Sequence, residues 1–139
     1  MKTYNAINSL SQEGNTLMDA DEFDLAVEKW QKAIDLIPEP KTDWEAYMWL
    51  SASIGDALYQ KKLYEIASAN FINALNAPGG IENPFVHFRL GQCQTKLGNE
   101  RLGLDHLLKA YMLDGEDIFL MEADGIFSLE LLKNRGLVN

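Results

Sequence analysis

Three segments of the chain align with one another without a gap, and this repeat constrains the fold more than any other feature. They are GNTLMDADEFDLAVEKWQKAIDLIP (14–38), GDALYQKKLYEIASANFINALNAPG (55–79) and GQCQTKLGNERLGLDHLLKAYMLDG (91–115). The matching columns are Gly14, Gly55 and Gly91; Ala26, Ala67 and Gly103; Trp30, Phe71 and Leu107; and Ala33, Ala74 and Ala110. A sequence that repeats one pattern is expected to repeat one structural unit.

The columns have the spacing of two packed helices. A small residue in the first column lets one helix approach its partner closely. The second and fourth columns are small and share one helix face, and the large apolar column between them fills the groove of a neighbouring helix. Short stretches, DADEF, QKKLY and KLGNE, would join the two helices. Each segment is therefore predicted to be a helical hairpin, closed by Pro38 in the first case and by Pro78 in the second.

This pattern resembles the tetratricopeptide repeat, a helix-turn-helix unit of about 34 residues that stacks into a superhelix. The resemblance spans about residues 7–115. The first repeat matches the family best, at Gly14, Phe23, Ala26, Trp30, Ala33 and Pro38. The third repeat has Leu97 and Gly98 in its turn, as the family does. It departs from the family at Glu100, where an aromatic is usual, and at Gly103, where alanine is usual.

We therefore predict an all-α protein in which three tetratricopeptide hairpins form a short right-handed superhelix with a C-terminal helical cap. Residues 1–139 would form one domain, with repeats at about 7–40, 48–80 and 84–115 and the cap at 116–139. Helices are expected near 3–19, 22–37, 43–61, 64–76, 84–97 and 101–114. Apolar residues of the cap would cover the last hairpin. We expect Gly125 to break the cap into two short helices.

The charge of the chain is strongly negative, with 12 basic against 21 acidic residues, a net charge of -9 and a pI near 4.6. Such a field repels nucleic acid and anionic lipid and attracts basic partners. We therefore predict no nucleic-acid and no membrane partner. The acidic patch is expected at Asp19, Asp21, Glu22, Asp24, Glu116, Asp117, Glu122 and Asp124. The alternative is that these acids only solvate exposed helix faces.

The start of the chain, MKTYNAINSLSQEGN, is polar and amphipathic, unlike a secretory signal. No apolar run reaches the roughly 20 residues of a membrane span. We therefore expect a cytoplasmic protein. The lone Cys93 permits no internal disulfide, in agreement with that compartment.

Candidate catalytic and metal-binding residues are few. Cys93 follows the packing residue Gly91, so we interpret it as a buried or half-buried thiol and not as a nucleophile. His87 and His106 look isolated, because neither has a second ligand three or four residues away. No phosphate-binding loop or nucleophile motif is present. We predict no enzymatic activity, no metal, no cofactor and no small-molecule substrate.

The resemblance implies that the first helix of each hairpin lines a groove that binds another protein. The groove positions carried over are Asn8, Ser11, Asn15, Met18, Asp19, Trp49, Ser53, Asp56, Tyr59, Gln60, Phe85, Phe88, Arg89, Gln92 and Lys96. Aromatic anchors ringed by polar groups are typical of recognition hot spots. The alternative for Trp49, Phe85 and Phe88 is that they pack between repeats.

One activity of the family is disfavoured by these positions. Repeats that capture the C-terminal Glu-Glu-Val-Asp tail of heat-shock chaperones hold it with Lys, Asn and Arg side chains. Asn15 is the only one of these present here. The remaining clamp positions hold Ser11, Asp56, Phe88 and Gln92. An anionic tail would also meet an acidic groove.

Two hypotheses for the partner remain. The ending AYMLDGEDIF…SLELLK resembles small bacterial tetratricopeptide proteins encoded beside polymorphic or contact-dependent toxins. This favours an immunity protein that blocks a basic toxin domain by charge mimicry. The alternative is a chaperone or adaptor that holds an extended peptide, as class II type III secretion chaperones do. Against that, the N-terminal dimerisation extension of those chaperones is not seen before the first repeat. A generic scaffold is the third possibility.

Overall fold

The computed structural model of the protein describes residues 2–139, and all regular structure in that range is helical. The α-helices are α1 (Lys2–Asp19), α2 (Phe23–Asp35), α3 (Glu45–Gln60), α4 (Tyr64–Leu75), α5 (Pro84–Lys96), α6 (Glu100–Asp114) and α7 (Ala123–Asn134). Short 3-10 helices, Lys41–Asp43 and Asp117–Met121, precede α3 and α7. The predicted all-α class is confirmed, and the six repeat helices begin and end within two residues of the predicted positions.

The helices pair in chain order. Helices α1 and α2, α3 and α4, and α5 and α6 form three hairpins, and each hairpin packs on the next through α2 with α3 and α4 with α5. Because each hairpin packs on the next, the first helices α1, α3 and α5 lie side by side along one surface of the stack, and α3 also contacts α5 directly. That surface is the groove discussed below.

The turn inside each hairpin has one geometry, which explains why the repeats align without gaps. Asp21, Lys62 and Gly98 occupy equivalent positions and all have a positive φ, of 60°, 63° and 87°. In the first turn the amide of Glu22 donates to the carbonyl of Leu17 at 2.8 Å, and the other two turns repeat this bond. Such a left-handed residue after a helix satisfies the last carbonyls and reverses the chain.

The first small column allows the close helix approach that we predicted, and in the structure it packs against the large apolar column. A Cβ atom added at Gly55 would lie 2.8 Å from the ring of Phe71. At Gly91 it would lie 2.7 Å from Cγ of Leu107. Such distances are shorter than van der Waals contact, so any larger side chain would push the two helices of the hairpin apart.

Buried apolar side chains form three clusters, one after another along the stack. The first cluster surrounds Trp30, between α1, α2 and α3, and the second surrounds Phe71, between α3, α4 and α5. The third surrounds Leu107 and includes Phe88 of α5 with residues of the tail. Each cluster therefore joins a hairpin to the element that follows it.

The tail caps the third hairpin, but it is divided at a different residue from the one we predicted. The 3-10 helix places Phe119 against Phe88, with ring centroids 5.2 Å apart, and α7 adds Leu129 and Leu132 to the same cluster. The break falls at the extended residue Glu122. Gly125 lies inside α7, where the absence of a side chain lets the helix pack against the backbone of Phe119. The prediction of a break at Gly125 was therefore wrong.

Truncating Trp30 tests the first cluster. Its ring is buried against Gly14, and its indole Nε1 donates to the carbonyl of Ser11 at 3.2 Å. We expect Trp30→Ala to lower the free energy of unfolding by about 3 to 5 kcal/mol, because a large buried ring leaves a cavity. Denaturant unfolding measures this, with the half-exposed Trp49→Ala as the control. A loss below about 1 kcal/mol would contradict the assigned packing.

Candidate functional site

The groove is open between α1 and α3. A cavity of about 240 Å³ lies between the second half of α1 and the middle of α3. It is lined by Asn15, Met18, Asp19, Trp30, Trp49, Ala52, Ser53, Asp56 and Phe85. Seven of these nine side chains were predicted groove residues, and the structure brings them together around one space.

A second and larger cavity continues the open groove toward the starts of the same two helices. Its volume is about 780 Å³. It is lined by Lys2, Thr3, Tyr4, Ile7, Asn8, Ser11, Ile37, Pro38, Trp44, Glu45, Ala46, Trp49 and Leu50. Trp49 contributes to both cavities, so the two form one path along the α1–α3 interface.

Large aromatic side chains at this path are only partly covered. Tyr4, Trp44 and Trp49 are 59%, 46% and 52% exposed. The indole Nε1 of Trp49 donates to Oε1 of Glu45 at 3.1 Å, which orients the ring. Tyr4 and Trp44 were missed in the sequence, although Tyr4 is four residues before Asn8 and so shares its helix face. Exposed aromatic rings beside a concave surface are suited to anchoring a partner protein.

The groove is closed at its other half, around Arg89. The guanidinium of Arg89 is buried and lies 4.4 Å from the centre of the Tyr59 ring. Its Nε donates to Asp56 at 2.9 Å, and one terminal nitrogen donates to Gln92 at 2.8 Å. Both carboxylate oxygens of Glu122, from the tail, accept from its two terminal nitrogens. Arg89 is therefore enclosed by the repeats on one side and by the tail on the other.

The next tail carboxylate, Asp124, extends this closure. The hydroxyl of Tyr59 donates to Oδ2 of Asp124 at 2.6 Å, and Nζ of Lys96 lies 4.0 Å from Oδ1. Nε2 of Gln92 donates to Oγ of Ser128 at 3.5 Å. The second half of the groove is thus covered by polar contacts from the tail.

These contacts shift the pKa values of two groove side chains. Burial alone would lower the pKa of Arg89, but its bonds to Glu122 and Asp56 outweigh burial and raise the pKa above its ordinary value. Burial raises the pKa of Tyr59, and the nearby carboxylate of Asp124 raises it further. Arg89 is therefore a fixed positive charge and Tyr59 a fixed hydrogen-bond donor.

The predicted groove residues divide into three groups in the structure. Those that line the two cavities are Asn8, Ser11, Asn15, Met18, Asp19, Trp49, Ser53, Asp56 and Phe85. Those under or beside the tail are Tyr59, Arg89, Gln92 and Lys96. Phe88 is buried in the third cluster, which is the packing alternative, and Gln60 is exposed at the end of α3. Phe88 is therefore placed where a partner would not reach it.

The predicted acidic patch divides in the same way. Asp19, Asp21 and Glu22 are exposed at the turn between α1 and α2. Asp24 is paired with Lys61, the residue that follows α3. In the tail, Glu116 and Asp117 are exposed. Glu122 and Asp124 are partly exposed, and they are also bound to Arg89 and Tyr59.

The two histidines are not isolated, as their spacing in sequence had indicated. Nδ1 of His87 on α5 lies 3.1 Å from Nδ1 of His106 on α6, and the rings are stacked. Nε2 of His87 lies 2.8 Å from the carbonyl of Ile81, so this nitrogen carries the proton and its Nδ1 accepts from His106. Burial and the neighbouring His87 lower the pKa of His106 to about 4. The contact between the two rings joins α5 to α6.

No group of three or more His, Cys, Asp or Glu side chains within residues 2–139 is arranged to hold a metal ion. None of the helices in this described part of the chain is both long and apolar enough to cross a membrane.

Cys93 is fully buried in the second cluster, as predicted, and burial raises its pKa to about 12. At pH 8 the native thiol is therefore protonated and covered.

We expect the folded protein to react with a thiol-disulfide reagent about a thousandfold more slowly than the denatured chain, because the thiolate is the reacting form. Absorbance of the released thiol gives both rates. Equal rates would show that α5 opens freely.

No family model and no curated protein sequence matches the chain. Solved structures do match. The Arabidopsis OM64 TPR domain is 14% identical, covers 96% of this chain and 98% of its own, and has a TM-score of 0.76. The C-terminal TPR-containing domain of a Plasmodium falciparum FK506-binding protein is 18% identical, with 96% and 89% covered and a TM-score of 0.78.

A third match is the first TPR of Spaghetti (RPAP3) bound to the HSP90 peptide SRMEEVD. It is 14% identical, covers 96% of this chain and 95% of its own, and has a TM-score of 0.73. The protein has the tetratricopeptide-repeat fold. The fold predicted from the repeat columns is thereby confirmed over nearly the whole chain.

Proposed function

We propose that this tetratricopeptide protein is a non-enzymatic interaction module that holds a segment of a partner protein in the open half of its groove. The observation that carries the proposal is Trp49, which is half exposed and forms a wall of both cavities. An exposed indole beside a concave apolar surface gains much free energy when a partner covers it. The partner segment is expected to place an apolar side chain there.

The size of the open half supports an extended segment and not a whole folded surface. The cavities of about 780 and 240 Å³ lie end to end along α1 and α3. The tail covers the half that α5 lines, around Arg89. The segment would therefore run beside α1 and α3. This mode is that of a chaperone or adaptor of extended peptides.

The heat-shock tail remains an unsuitable occupant under this proposal. Asp56, at one of the clamp positions, is already bonded to Arg89, and Phe88, at another, is buried. Neither can donate to a peptide carboxylate. The peptide bound by the Spaghetti domain therefore does not indicate the partner of this chain.

A second candidate is an immunity protein in the bacterial cytoplasm that binds a basic toxin domain. The exposed acids Asp19, Asp21 and Glu22 favour the immunity candidate. Asp19 also lines the smaller cavity, so the acidic turn adjoins the open groove. A basic partner would be steered to this edge. The tail contributes less than we expected, since Glu122 and Asp124 are already bound to Arg89 and Tyr59.

Peptide selection tests the groove. A display library of random peptides is panned against the wild-type protein, and affinities of the selected peptides are measured by fluorescence anisotropy. We expect Trp49→Ala to weaken binding at least about thirtyfold, the cost of losing a hot-spot side chain. Met112→Ala is the control, because Met112 is an exposed apolar residue of α6 outside both cavities. Peptides that bind the Trp49→Ala variant with unchanged affinity would refute the proposed groove.

Salt dependence tests the immunity candidate. Asp19, Asp21 and Glu22 are changed together to Asn or Gln, and association with the protein encoded by the neighbouring gene is followed by surface-based kinetics. We expect association at low salt to slow about tenfold or more, because long-range steering is lost. The exposed pair Glu116→Gln and Asp117→Asn is the control. An association rate that does not depend on salt or on these charges would exclude recognition by charge mimicry.

A further inference from the structure

The side chains that close the second half of the groove come from outside the repeats. Glu122 precedes α7, and it presents both carboxylate oxygens to Arg89, one of them 3.0 Å from the Nη2 nitrogen. Asp124, in the first turn of α7, accepts from the hydroxyl of Tyr59 at 2.6 Å. The two tail carboxylates therefore bind Arg89 and Tyr59, which are both at predicted ligand-binding positions of the groove.

The geometry around Arg89 is that of a preformed site for a carboxylate. Asp56 accepts from Nε at 2.9 Å, and Cζ of the guanidinium lies over the Tyr59 ring, 4.4 Å from its centre. These contacts fix the orientation of the group independently of the tail. The edge with the two terminal nitrogens then faces Glu122, in the paired arrangement that arginine forms with carboxylates. The site is built by α3 and α5, and the tail only fills it.

The two tail carboxylates are accessible although the arginine is not. The side chain of Glu122 is 35% exposed and that of Asp124 is 46% exposed, whereas Arg89 beneath them is buried. Phe119 and Leu129, on either side in sequence, anchor the tail in the third cluster. Rotation of the Glu122 and Asp124 side chains alone would thus expose Arg89 to a ligand while the cap stays in place.

We propose that Glu122 and Asp124 are internal occupants of a carboxylate-binding site in the groove, and that an acidic side chain of a bound protein segment replaces them. This use of the site rests on the proposed function. The donors of the proposed site are Tyr59 and Arg89. The site therefore differs from the heat-shock clamp, whose positions in this chain include Ser11, Asn15 and Asp56. It lies beyond the open half, so a segment anchored at Trp49 would reach it by continuing toward α5.

Emptying the site provides the first test. Glu122→Ala with Asp124→Ala removes both occupants, and Glu116→Ala with Glu130→Ala removes the same charge from exposed positions that do not contact Arg89. Sodium acetate is the probe, and sodium chloride at equal ionic strength is the reference. We expect acetate to raise the melting temperature of the emptied variant by about 3 °C more than chloride does, because it binds the folded state. The control variant should show no such difference.

A peptide provides the second test. The peptide DIFLMEADGI copies residues 117–126, and its partner peptide carries Glu122→Gln and Asp124→Asn. Isothermal titration should show that the emptied variant binds the first peptide about tenfold more tightly than the second. Wild-type protein should bind the first peptide more weakly than the emptied variant does, since the peptide must displace the carboxylates of Glu122 and Asp124.

The proposal is overturned if acetate acts no differently from chloride, or if the emptied variant does not distinguish the two peptides. Far-UV circular dichroism first establishes that the emptied variant is folded. If it is not, Glu122→Gln replaces it, because this change removes the charge and keeps the volume, and the same acetate comparison decides. These measurements need no partner and do not involve Trp49. They can therefore fail while the groove proposal holds, or succeed while it fails.

Discussion

A glycine of one helix against a large apolar side chain of the next is the contact on which the rest of the structure depends. Gly14 faces Trp30 and Gly55 faces Phe71, and the third hairpin repeats the pairing with leucine. The distance between the two helices of a hairpin follows from this pairing. Because each hairpin then stacks on its neighbour, the same contact sets how α1, α3 and α5 align along the groove.

The repeat part of the fold could be predicted because its signals are local. Small and large residues recur at helical spacing, and one left-handed turn residue, Asp21, Lys62 or Gly98, ends the first helix of each unit. Both signals lie within a few tens of residues, and three copies reinforce one another. The open half of the groove was also within reach, since its lining follows from which face of α1 and α3 is left uncovered by the hairpin packing.

The contacts of the tail could not be predicted, because they depend on the path of the chain after the last repeat. An acidic stretch such as that around Glu122 looks like a solvated surface in sequence. In the structure its partner is Arg89, in another helix, and the pairing decides that half of the groove is closed. The contact between His87 and His106 is of the same kind, since only the hairpin geometry brings them together.

A single indole forms part of the wall of both open cavities, and this has a consequence for selectivity. If a ligand turned the ring of Trp49, one cavity would lose volume and the other would gain it, because the ring is a wall of both. A large ligand side chain in the first cavity would then favour a small one in the second. The open groove would therefore discriminate between pairs of neighbouring side chains and their order along the segment, and not between single residues.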